Sequence, residues 1–93
     1  MILSFRSRET EKIWRGDVSR QFPVAMQHVA RRKLRMLSNA QRLDDLRAPP
    51  GNRLEALKGD RKGQHSIRIN DQWRLCFTWS SAGPGDVEIV DYH

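Results

Sequence analysis

Ninety-three residues are enough for one small core and too few for two domains, a repeat array or a large cofactor fold. The composition is globular, at 38% hydrophobic and 30% charged, but no apolar run nears the roughly 18 residues of a membrane span, Met1–Phe5 is too short for a signal peptide, and Cys76 stands alone and so forms no internal disulfide. Seventeen Lys and Arg against eleven Asp and Glu leave a net charge of +6, which favours a polyanionic partner in a reducing cytoplasm.

That charge is uneven. Met1–Arg47 carries 11 basic and 5 acidic side chains and Ala48–His93 carries 6 and 6, so the whole excess lies in the first half. Met1–Phe5, short and apolar, predicts a first strand. Ser7 offers an N-cap, Glu9 and Glu11 complement the helix dipole, and Gly16 is a stop, so a short first helix is expected between them. Pro23 opens a second helix in which Met26, Val29, Ala30, Leu34 and Leu37 recur at helical spacing over Val24–Ser38. Arg31, Arg32 and Arg35 occupy the other side, while Lys33 falls on the apolar side and has to snorkel or mark its edge. Asn39 ends this helix, Asp44–Leu46 adds a turn, and Ala48-Pro49-Pro50-Gly51-Asn52 interrupts regular structure.

Beyond that interruption the period changes to two. Leu54–Lys58 reads as a short strand, His65, Ile67 and Ile69 alternate with polar neighbours, and Trp73, Leu75, Phe77 and Trp79 alternate with Arg74, Cys76 and Thr78. Asn70-Asp71-Gln72 and Gly83-Pro84-Gly85-Asp86 suit hairpin turns, and Val87–Tyr92 makes a last strand. The expected fold is α+β in the order β-α-α-β-β-β-β, with two helices on one face of a mostly antiparallel, twisted sheet, in a single domain over residues 1–93.

Four polar features of the second half could carry chemistry. Lys58-Gly59-Asp60-Arg61-Lys62-Gly63 concentrates charge between two glycines, and by itself suits a solvated turn. Arg74 points away from the Trp73/Leu75/Phe77 stripe and needs an anionic partner, which a structural carboxylate or a ligand could supply. Asp91-Tyr92-His93 places an acid, a phenol and an imidazole at the end of the last strand, where a frayed tail is the plainer reading. His65 suits the edge of the core and His28 solvent; neither has a partner at metal-ligand spacing, so no metal is assigned, and Cys76 reads as a small buried residue.

If the last strand lies beside the Arg74 strand, Lys58, Arg74, Tyr92 and His93 can converge at one edge. Two fixed cations, a group titrating near neutrality and a phenol suit RNA cleavage by attack of a 2′-hydroxyl on the adjoining phosphate. That reaction needs a proton removed, charge stabilised on a phosphorane and a proton delivered to the 5′-oxygen.

Leu54-Glu55-Ala56-Leu57-Lys58-Gly59-Asp60-Arg61-Lys62-Gly63, Ser66-Ile67-Arg68-Ile69-Asn70, Gln72-Trp73-Arg74-Leu75-Cys76-Phe77 and the terminal Asp91-Tyr92-His93 together resemble the HigB toxins of the RelE/ParE superfamily. The match is in motif order and spacing over the last 40 or so residues, and in length and helix placement before that. The resemblance implies a RelE-like fold and a ribosome-dependent endoribonuclease toxin that cuts mRNA in the ribosomal A site without a cofactor. It further implies neutralisation by a HigA-type helix-turn-helix antitoxin. By position, Lys58, Arg74, Asp91, Tyr92 and His93 match the family's catalytic set, and Glu55 stands where some members have a further histidine. Arg31, Arg32 and Arg35, with Arg61, Lys62 and Arg68, would then hold RNA phosphates. Two other classes stay open at this point: a ParE-like gyrase poison of the same fold, and a basic RNA- or ribosome-binding module without catalysis.

Overall fold

The computed structural model describes residues 1–92, so His93 lies outside the described residues. The first helix, α1 (Arg8–Trp14), starts as its sequence predicts: the Ser7 hydroxyl accepts from the Thr10 N–H at 3.2 Å. The second, α2 (Val24–Asn39), follows Pro23. Met26, Ala30, Leu34 and Leu37 are buried along one side of it, while Arg32, Arg35 and His28 are exposed. Lys33, on the flank of that buried stripe, reaches outward until its Nζ meets Asn52 Oδ1 at 2.5 Å. Partial burial, with Arg32 and Arg68 nearby, holds this amine below the usual lysine range.

Three single turns of 3-10 helix, at Leu43–Arg47, Pro50–Asn52 and Gly59–Arg61, surround a two-residue edge strand, β1 (Glu55–Ala56). The strands β2 (Gln64–Arg68), β3 (Trp73–Ser80) and β4 (Gly83–Asp91) complete an antiparallel sheet in the order β1-β2-β3-β4. Ile67, Leu75, Phe77, Val87 and Ile89 line its inner face and pack with Ile13, Phe22, Leu34 and Leu37 into one core. Trp73 adds an edge-on contact to Phe22, with ring centres 5.3 Å apart. His65 takes the core-edge place its alternation predicts, stacked on Phe77 with centroids 6.3 Å apart.

Two local expectations are corrected. Met1–Phe5 forms no full strand: it runs parallel to β4 through a single bridge, Phe5 to Val87, with Leu3 N–H donating to the Pro84 carbonyl at 2.8 Å. Gly83-Pro84-Gly85-Asp86 is also not the hairpin turn, which falls at Ser81-Ala82; these four residues open β4. The N-terminal segment holds them extended, and the pairing absorbs an irregularity between Cys76 and Thr78, near which Asp86 takes a left-handed backbone (φ 47°). Gly83 is required there, because a Cβ would lie 2.6 Å from the Met1 carbonyl oxygen. The element order is therefore α-α-β-β-β-β preceded by a bridge, within the α+β architecture the sequence implies.

Candidate active site

Alternation along β2, β3 and β4 sends every second side chain to the outer face, which neither helix covers. The register aligns Arg68 with Arg74 and Ser66 with Cys76 across β2 and β3, then Arg74 with Val90 and Cys76 with Glu88 across β3 and β4. Glu55 of β1 pairs with Ser66 and joins the same face.

Arg74 is the centre of this face. It is only 7% exposed, and its guanidinium is held on several sides: Nε donates to Ser66 Oγ at 2.8 Å, one Nη to the Arg53 carbonyl at 2.7 Å and the Ser66 carbonyl at 3.4 Å, and the other Nη faces the Glu55 carboxylate at 3.6 Å. The same guanidinium lies 5.6 Å from the centre of the Tyr92 ring, inside cation–π range. A buried charge with this many partners has one orientation, so its remaining donor surface is aimed in advance. Beside it, Arg53, Glu55, Arg68, Asn70, Asp71 and Tyr92 line a shallow depression with three guanidiniums against two carboxylates.

Tyr92 is 40% exposed, and its backbone N–H donates to the Gln72 carbonyl at 2.6 Å, so the chain is still paired one residue beyond β4. Asp91 sits across from Trp73, and its Oδ2 accepts from Gln72 Nε2 at 3.1 Å. Lys58 is exposed past the end of β1, leads into the Gly59–Arg61 turn and does not line the depression. Arg61 comes back over the outer face, where its Nη1 bonds Glu88 Oε1 at 2.9 Å and Gln64 Oε1 at 3.1 Å; the Glu88 hydrogen bond raises its already high pKa further. Lys62 is exposed beyond this turn, and Arg68 is paired with Asp71 at the mouth of the depression. Arg31 is committed elsewhere: its Nε donates to the Ile13 carbonyl at 2.9 Å and an Nη to that of Asp17 at 3.3 Å, so it ties α2 to the end of α1. His93, the proposed proton-transfer group, lies outside the described residues.

Cys76 is buried on this face near Arg61 and Glu88, and burial pushes its thiol above the ordinary range. Ser66 was discoverable from sequence, since it is in phase with Arg68 two residues on. Arg53 was not, because its part in the site comes from its backbone: φ 45° and ψ 57° turn its carbonyl toward Arg74. Glu55, which stands where some members have a histidine, is the carboxylate partner of Arg74 at 3.6 Å.

Residues 3–93 match the family described as the RelE-like toxin of the type II toxin-antitoxin system HigB. The chain belongs to this HigB family. It is 44% identical over 80 residues to Toxin HigB-1 of Vibrio cholerae, covering 85% of this chain and 84% of that one. An uncharacterized protein of Haemophilus influenzae is 38% identical over 66 residues, covering 71% and 65%. Among solved structures, the YoeB-YefM complex from Staphylococcus aureus aligns with a TM-score of 0.61 over 100% of this chain and 95% of that one, at 19% identity, which shows a shared RelE-like fold. Membership in HigB makes this a toxin-family chain that acts with an antitoxin, and RelE-like toxins are generally ribonucleases. No helix of the described residues is long and apolar enough to cross a membrane.

Proposed function

We propose that this HigB-family protein is a ribosome-dependent mRNA endoribonuclease that cuts in the ribosomal A site and is neutralised by a HigA-type helix-turn-helix antitoxin. The observation that carries this reading is Arg74: a buried guanidinium, fixed by Ser66 and Arg53, beside Tyr92 and open to a depression on the sheet face the helices leave bare. A cation immobilised before the substrate arrives costs no reorganisation when charge builds on a phosphorane, and such a donor is worth about 10²- to 10³-fold in rate.

The other roles follow from chemistry and position. His93 supplies an imidazole, the side chain best suited to proton transfer at neutral pH, and serves as the proton-transfer group, worth about 10²- to 10⁴-fold. Asp91 orients it, Tyr92 offers a ring on which a base can stack, and Lys58 approaches the phosphate from the edge of β1. Removal of the 2′-hydroxyl proton, attack on the adjoining phosphorus and protonation of the departing 5′-oxygen give a 2′,3′-cyclic phosphate and a free 5′-hydroxyl, with no cofactor required. Among the described residues few acid–base groups surround Arg74, so the substrate has to be bent for attack by something else, and the ribosome with its bound message supplies that positioning. The cytoplasm, where message is translated, is then the site of action.

The test is to incubate purified protein with translating ribosomes and with the same message stripped of ribosomes, then map new 5′ ends. The expected result is cleavage at A-site codons on ribosomes and little on naked message. Comparable cutting of both would reject ribosome dependence. Toxicity with intact message and inhibited gyrase would instead support the ParE-like reading.

A further inference from the structure

We propose that Arg53 is a substrate-binding residue that grips a backbone phosphate of the RNA beside the one held by Arg74. This rests on the ribonuclease reading above and adds a residue to it.

The first observation is conformational. Arg53 ends the Pro50–Asn52 turn with φ 45° and ψ 57°, the left-handed region that glycine enters freely and a residue with a Cβ adopts uncommonly. The backbone there would be served as well by glycine, so the reason for a long cationic side chain has to lie in what that side chain does.

The second observation is rigidity. The turn is pinned by Asn52, fully buried, whose Nδ2 donates to the carbonyls of Leu46 at 3.1 Å and Ala48 at 3.2 Å and whose Oδ1 accepts from Lys33. The Arg53 carbonyl in turn accepts from Arg74 at 2.7 Å. The Arg53 backbone is thereby fixed relative to the Arg74 guanidinium, and both residues line the same depression.

The third observation is charge. Arg53, Arg68 and Arg74 all line the depression. Arg68 is paired with Asp71 and Arg74 with Glu55, but among the described residues no carboxylate lies within ion-pair distance of the Arg53 guanidinium. Of the three cations it alone has no carboxylate partner among the described residues, and an RNA backbone carries one negative charge at every nucleotide. A planar guanidinium offers paired donors to phosphate oxygens, which a point charge cannot match.

The experiment compares wild type, Arg53→Gln, Arg53→Gly and Arg53→Lys. Each is titrated with a fluorescent 2′-O-methyl RNA oligonucleotide, which cannot undergo the reaction, over a series of KCl concentrations. Arg53→Gln and Arg53→Gly should bind more weakly, with a salt slope shallower by about 0.7, the value of one single-strand phosphate contact. Arg53→Lys should keep most of the slope. Arg53→Gly should melt no lower than wild type, because glycine suits the left-handed backbone, and this separates lost binding from lost fold. On translating ribosomes, Arg53→Gly should raise KM more than it lowers kcat. Equal affinity and equal slope in wild type, Arg53→Gln and Arg53→Gly would overturn the proposal. A slope change in a protein whose wild type leaves translated message intact would uphold the phosphate contact and reject the ribonuclease reading instead.

Discussion

The Arg74 guanidinium lies over the Tyr92 ring at 5.6 Å, and that contact joins the buried middle of the sheet to the chain's last described residue. A cation against a ring face holds the ring in place, and the ring in turn shields one side of the cation from water. Whatever enters the depression meets both groups together.

Replacing Arg74 should therefore affect rate and stability through different contacts. Arg74→Lys keeps a charge but loses the forked donors to Ser66 and the Arg53 carbonyl, and cleavage on ribosomes should fall by about 10²- to 10³-fold. Arg74→Ala should lose as much activity and also about 1–3 kcal/mol of stability, because the buried oxygens of Ser66 and the part-buried carbonyl of Arg53 are left unpaired. Single-turnover cleavage and thermal unfolding of the same preparations read the two effects.

Deleting His93 should abolish cleavage while sparing the fold. The Tyr92 N–H is paired with Gln72, so β4 keeps its register when only the final residue is removed. A loss of the proton-transfer group predicts a rate about 10²-fold lower or more, with stability changed by no more than about 0.5 kcal/mol. Wild-type cleavage by the truncated chain would assign the proton to another group.

The arginines of α2 should separate into two behaviours. Arg32→Gln with Arg35→Gln, both exposed, should leave the melting temperature unchanged and flatten the salt dependence of ribosome binding. Arg31→Gln removes hydrogen bonds to the Ile13 and Asp17 carbonyls and should cost about 1–3 kcal/mol. Melting curves and ribosome co-sedimentation across a salt series check both. An Arg31→Gln protein as stable as wild type would show the link between α1 and α2 to be dispensable.

Acid should weaken the junction between α1 and α2 through Glu9. The Ser19 hydroxyl donates to Glu9 Oε1 at 2.6 Å, and this bond, with Lys12, holds the carboxyl below its ordinary value of 4.5. A carboxyl whose pKa is lowered in the folded state contributes stability above its unfolded pKa and loses it as pH falls through the folded one. The deficit of Ser19→Ala relative to wild type should thus be larger at pH 7 than at pH 3. A deficit independent of pH would mean that the Ser19 hydroxyl acts only through its other contact, the N–H of Gln21.

The helices, the alternation of the two central strands and the outward placement of Arg74 were all decided by short-range pattern. Ser7 caps the helix that starts at the next residue by accepting an N–H three residues on, the α2 stripe repeats every third or fourth residue, and a strand's faces alternate at every step, so each signal lies within one turn or one pleat of its cause. The resemblance to HigB was legible for the same reason, since its residues lie in continuous segments around that strand. Tertiary structure decided the rest. Gly-Pro-Gly-Asp reads locally as a turn and becomes strand because Gly83, Pro84 and Gly85 pair with β3 on one side and the N-terminal segment borders them on the other, where Ser4 Oγ, 82 positions before Asp86, accepts the Asp86 N–H at 2.8 Å. Arg53 joins Arg74 across 21 positions through a carbonyl, an atom every residue has and no side-chain pattern can announce. Glu55 could be read as a substituted residue, but its pairing with Arg74 exists only because β1 lies against β2 and β2 against β3. A local pattern reports which face a side chain takes; which groups meet on that face depends on register, and register is set by contacts made far along the chain.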